Sequence, residues 1–150
     1  MAHDASVPIV GVESTPGYTV FGGGSAGPAH NEPAFRHLLA VERRRAERSG
    51  RSVVLVLVSL RRAPGRNQLL TAPAASEIFA ALGASVREVD FVGWFRHGHV
   101  AAAALIQRAA TQPALLPDIV TRITRTLQEE VRGDSSALRV RVVLLGGRKV

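Results

Sequence analysis

Ser52 to Leu60 reads SVVLVLVSL, and the fold turns on this stretch. It is a nearly unbroken β-branched and apolar run of strand length, which predicts a central strand covered on both faces. Upstream, Asn31 is placed to cap a helix, Pro33 suits its first turn, and Phe35, Leu38, Leu39 and Ala46 fall near one face before Ser49-Gly50 ends it. Downstream, a turn-rich stretch from Arg61 to Pro73 leads to Ile78, Phe79, Leu82, Val86 and Val89 at helical spacing, predicting a second helix that stops near Asp90. Phe91 to Phe95 and Val100 to Ile106 are strand-like runs joined by Arg96-His97-Gly98-His99, a hairpin whose turn sits at Gly98. Ile119, Val120, Ile123, Leu127 and Val131 mark an amphipathic helix from Pro117-Asp118 to Gly133, and Leu138 to Leu145 closes the order as a strand.

From Ser52 the elements therefore run β, α, β, β, α, β behind one leading helix. This order predicts an α/β (α+β) fold of the ferredoxin-like, split βαβ kind, an antiparallel sheet with two helices on one face. Residues 31–150 form one domain in this reading. Residues 1–30, with the cluster Gly22-Gly23-Gly24-Ser25-Ala26-Gly27-Pro28, read as a flexible N-terminal arm. Gly22, Gly24 and Gly27 match G-x-G-x-x-G, but the βαβ context that a dinucleotide site requires does not follow them.

The 150 residues suffice for one hydrophobic core, and 46% hydrophobic against 21% charged residues is the usage of a folded domain. With no cysteine, disulfides and thiolate metal sites are excluded, and the cytoplasm is the expected compartment. The longest apolar runs fall far short of the roughly 20 residues that cross a bilayer, so no membrane span is expected. The formal charge of +7 comes almost wholly from arginine, Lys149 being the sole lysine. Such a balance permits attraction to nucleotides, nucleic acid or anionic partners without choosing among them.

Over roughly Pro33 to Leu145 the chain resembles the GGDEF family of diguanylate cyclases, whose domain is a nucleotidyl-cyclase palm with a leading helix. The likeness is carried by FRHLLAVERRRAERSGRSVVLVLV, by LGASVREVDFVGW from Leu82 to Trp94, by the hairpin, and by the closing helix and strand. The resemblance implies a carboxylate at the end of the first strand and another in the hairpin, to hold divalent metal against a triphosphate. Here the matching positions are Ser59 to Arg61 and the loop Arg96, His97, Gly98, His99 and Val100, which stands where Gly-Gly-Asp-Glu-Phe would be. Neither offers an acid, and cations in their place repel Mg²⁺. The expectation is a degenerate, non-catalytic member with no catalytic residue, metal or cofactor. An acidic pair would have to arrive from Glu77, Glu88 or Asp118.

The resemblance also implies a ligand site. Arg87-Glu88-Val89-Asp90 stands at the spacing of the family's inhibitory Arg-x-x-Asp site for cyclic di-GMP. An arginine fork can grip a phosphate or guanine edge, and a carboxylate can accept from guanine N–H groups. The alternative is an ion pair at a helix end, with Arg87 and Asp90 three residues apart. Binding would need a second arginine, and sequence does not place Arg44, Arg48 or Arg108. His97 and His99 read as a polar turn or, with less support, as metal ligands. Arg43, Arg44, Arg45, Arg48 and Arg51 suit either phosphate contacts or the negative end of a helix dipole. Trp94 and Phe95 must face opposite sides of their strand.

Two functions from different classes follow. The first, which the resemblance implies, is a regulatory or interaction domain in bacterial signalling around exopolysaccharide control, with a protein partner and with cyclic di-GMP as the candidate ligand of Arg87 and Asp90. The second is an arginine-rich nucleic-acid-binding module.

Overall fold

The computed structural model describes residues 18–19, 29–63, 66–132 and 137–146. Along the chain run β1 (Tyr18–Thr19), β2 (Ala29–His30), α1 (Glu32–Ser49), β3 (Ser52–Ala63), β4 (Arg66–Gln68), α2 (Ala72–Ala84), β5 (Phe91–Arg96), β6 (Val100–Ile106), α3 (Leu116–Glu130) and β7 (Leu138–Gly146). The expected arm and its glycine cluster lie outside the described residues, except for β1 and β2, which extend the sheet.

Strand β3 is central, as its apolar run predicts. It pairs antiparallel with β6 on one side and with β7 on the other, and β5 pairs antiparallel with β6. The four long strands thus lie in the order β5-β6-β3-β7, the ferredoxin-like arrangement expected from element order. Beyond β5, β2 adds a parallel contact through His30 and Gly93. Because side chains alternate along a strand, Val54, Val56 and Val58 face α2 and α3, while Val53 and Leu55 face α1. The result is three layers, with α1 the one helix among the described residues on its side of the sheet.

Strand β6 is thin. Ala101, Ala102, Ala103 and Ala104 are each 0% exposed, pointing alternately into the two cores. The larger side chains stand beside them. Trp94 lies opposite Ala101 in the β5–β6 register and meets Phe79 of α2 edge to face at 5.0 Å. On the other side Phe35 of α1 meets Phe91 at 5.3 Å.

Helix α1 starts and stops where its sequence indicates. The Asn31 side chain accepts a hydrogen bond from the Ala34 N–H at 3.1 Å, and Gly50 ends the helix in the left-handed region at φ +75°. A Cβ on Gly50 would meet nothing within 4 Å, so Gly50→Ala carries only a backbone cost. We expect about 1 kcal/mol of lost stability, read as a lower urea midpoint. An unchanged midpoint would rule the conformational argument out.

Two expectations need correction. The stretch from Arg61 to Pro73 is more ordered than its turn residues suggest: β3 runs on to Ala63, β4 folds back against its end, and Thr71 caps α2 by accepting from the Ala74 N–H at 3.2 Å. Helix α2 also stops at Ala84, well before Asp90. Gly83 and Ser85 weaken it there, and the Ser85 hydroxyl donates back to the Ala81 carbonyl at 2.8 Å. Val86 still packs into the core, but Val89 is 63% exposed and belongs to no helical face. No helix among the described residues is long and apolar enough to cross a membrane.

Candidate functional site

Since α2 ends early, Arg87 and Asp90 lie in the loop that enters β5. The Asp90 carboxylate, 3% exposed, is enclosed by donors from this chain. Its Oδ2 accepts the Arg87 backbone N–H at 2.9 Å and Arg87 Nε at 3.3 Å. Its Oδ1 accepts the Ile106 N–H at 2.8 Å and Arg87 Nη2 at 3.2 Å. Arg87 Nη2 also donates to the Ile106 carbonyl. The two residues are therefore an ion pair, but one that ties the loop to the end of β6 instead of decorating a helix.

The outer side of Arg87 stays open, its side chain 55% exposed. It lines a cleft of about 840 Å³ whose walls also carry Arg108, after β6, and Arg122, on α3. Neither of those two guanidinium groups has a carboxylate partner among the described residues. Asp118 is the one acid on the cleft wall among the described residues, and Leu115, 51% exposed, supplies an apolar side chain. Arg87 and Arg108 also border a smaller recess reached by Arg51. With Arg87 compensated by Asp90, Arg108 and Arg122 against the lining acid Asp118 leave the cleft net positive, and its volume is in the range of small-ligand sites. Of the candidates for a second arginine, Arg108 arrives; Arg44 lies on the opposite face of the sheet.

The hairpin is clamped by the first turn of α1. Gly98 turns at φ +77°, and its carbonyl accepts the Leu70 N–H at 2.7 Å. Arg96 accepts the His99 N–H at 3.0 Å, and His99 Nδ1 lies 3.1 Å from the His97 carbonyl. Glu32 Oε1 accepts the His97 N–H at 2.6 Å, while Arg36 pairs with Glu32 at 3.2 Å and donates to the Phe95 carbonyl at 2.9 Å. The Arg36 guanidinium also covers the Phe95 ring, 4.2 Å from its centre. Val100, buried, begins the return strand.

Among the described residues one carboxylate thus reaches the hairpin, and sequence reasoning did not find it: Glu32 is distant along the chain and arrives only through the packing of α1. It is occupied by His97 and Arg36. The expected sources of an acid stand elsewhere. Glu77 accepts the Arg132 N–H at 3.0 Å, Glu88 borders the smaller recess and Asp118 the larger cleft. Among the described residues no three His, Asp or Glu side chains are grouped as a metal site would need.

In the basic run, Arg43 pairs with Glu47 at 3.3 Å, Arg45 with Glu42 at 3.2 Å, and Arg51 Nε donates to the Ser49 hydroxyl at 2.7 Å. Trp94 is core, whereas Phe95 turns to the α1 side beneath Arg36.

The chain matches no protein-family model, and no curated protein matches it. Among solved structures it is similar to a sensory box/GGDEF family protein from Caulobacter crescentus, at a TM-score of 0.57 and 20% sequence identity, over 75% of this chain and 76% of that one. The likeness is one of fold: this chain has a GGDEF-like α/β architecture.

Proposed function

We propose that the chain is a non-catalytic, cytoplasmic regulatory domain of GGDEF type in bacterial signalling, one that binds cyclic di-GMP in the arginine cleft beside Arg87. The observation that carries this reading is that Arg108 and Arg122 line the same cleft as the exposed side chain of Arg87. A cyclic dinucleotide presents two phosphates and two purine faces. Arg108 and Arg122 are free to take phosphate in bidentate fashion, Leu115 offers an apolar surface to a base, and Asp118 can accept from guanine N–H groups. Asp90 then acts as a positioning residue, holding Arg87 from behind.

The absence of acids at Ser59 to Arg61 and across Arg96 to Val100, together with the engagement of Glu32 by His97 and Arg36, supports the non-catalytic part of the reading. The nucleic-acid alternative is less well supported, because Arg43 and Arg45 are compensated on their own helix. It requires affinity that falls steeply with salt.

Calorimetric titration with cyclic di-GMP tests the proposal. Saturable binding is expected, weakened about tenfold by Arg108→Ala and by Arg122→Ala, each the loss of roughly 1.4 kcal/mol of charged hydrogen bonding. No heat at ligand concentrations of several hundred micromolar would sink it, as would binding indifferent to both changes.

A further inference from the structure

Helix α1 crosses its sheet face from β5 to β7. It begins over β5, where Phe35 meets Phe91, and ends against β7, where a Cβ on Gly146 would come within 2.9 Å of the Ala46 Cβ. Beside it, between α1 and β7, lies a groove of about 760 Å³ floored by Leu57, Val143 and Phe95. Leu57 marks its floor. It sits on the central strand with Ala102 and Arg141 beside it, yet it is only half-buried, while Val53, Val54, Leu55, Val56 and Val58 are all 4% exposed or less. Apolar sheet faces are ordinarily closed by another layer.

The walls specify what that layer would be. Arg36 and Arg43 are paired with Glu32 and Glu47 of α1. Arg44 on the helix wall and Arg141 on the strand wall are exposed, and neither has a carboxylate partner among the described residues. An apolar floor between two uncompensated cations complements a segment with an apolar stripe and acidic flanks.

We infer that the groove docks an acidic amphipathic helix of a partner protein, its apolar side on Leu57, Val143 and Phe95 and its carboxylates against Arg44 and Arg141. The wall from Arg36 to Glu47 measures roughly 16 Å of helix, enough for about three turns of an occupant. Single-stranded nucleic acid suits the site less well, because the floor's one aromatic ring is already covered by Arg36 and leaves no stacking platform. The inference rests on the regulatory reading only in requiring a partner. It uses no residue of the arginine cleft.

The probe is a fluorescein-labelled helical peptide of about 14 residues with leucines at i, i+3, i+4 and i+7 and glutamates on both flanks. It is compared by fluorescence anisotropy, at physiological salt, with a scrambled peptide of the same composition and with oligothymidine. Saturable binding is expected, at least about tenfold tighter for the patterned peptide than for the scrambled one. The double variant Arg44→Glu/Arg141→Glu, its fold checked by circular dichroism, should lose about tenfold or more and prefer a lysine-flanked version of the peptide. Equal binding of the two acidic peptides, indifference to the double variant, or no saturable binding would overturn the inference. Oligothymidine that binds more tightly and is lost in the same variant would reassign the face to nucleic acid. The double variant should keep whatever cyclic di-GMP affinity the parent has, so the two readings fail separately.

Discussion

Replacing Trp94 with alanine is expected to cost about 3–5 kcal/mol of folding stability. The upper part of that range applies because the surroundings cannot collapse into the space. Trp94 is 1% exposed, its cross-strand neighbour is Ala101, and the next residue of β6 on that face is Ala103, so methyl groups line the side that would have to move. Phe79 would lose its edge-to-face partner at the same time. Trp94→Phe should be far milder, about 1 kcal/mol, since Nε1 of Trp94 has no hydrogen-bond partner among the described residues and the phenyl ring removes an unpaired buried donor. Urea unfolding followed by far-ultraviolet circular dichroism makes the measurement, because the only tryptophan of the chain is the residue being changed. A loss below about 1.5 kcal/mol for Trp94→Ala would mean that the layers close up after all.

The second large effect is at Asp90. Its carboxylate, only 3% exposed, satisfies the backbone N–H groups of Arg87 and Ile106. Asp90→Ala leaves both donors without an acceptor and removes the carboxylate's tie between the loop and β6, an expected loss of about 2–4 kcal/mol. Asp90→Asn keeps one acceptor and should fall between this and wild type. Arg87→Ala should cost less than about 1 kcal/mol, because that side chain is 55% exposed and its pairing is partly screened. The order of the three variants in chemical denaturation is the test. If Asp90→Ala left stability intact while abolishing cyclic di-GMP binding, the carboxylate would be a ligand contact and its role as a positioning residue would be wrong.

The fold was largely legible because its signals are local and agree with one another. The unbroken run at Ser52 to Leu60, the cap at Asn31, the stop at Gly50 and the glycine turn at Gly98 all act where they stand in the chain. The misread stretches are those where local signals conflict. Pro73 reads as turn chemistry but opens α2 behind Thr71, and Val86 and Val89 continue a helical spacing past the glycine and serine that end it. The site was legible only in part. Arg87 and Asp90 carry their own spacing, but whether Arg108 and Arg122 join them depends on where the end of β6 meets α3. Glu32 at the hairpin and the groove beside Leu57 are equally remote from sequence, since both follow from the angle at which α1 crosses the sheet.

The alanines of β6 bear on how this protein can change. Each of the four points into one core or the other with no exposed surface, so the separation of helices from sheet is gauged by a single methyl group on both sides. Growth at Ala101 or Ala103 would lift α2 and α3, and growth at Ala102 or Ala104 would lift α1, carrying the hairpin clamp with it. The strand with the least side chain is therefore the one with the narrowest freedom to drift.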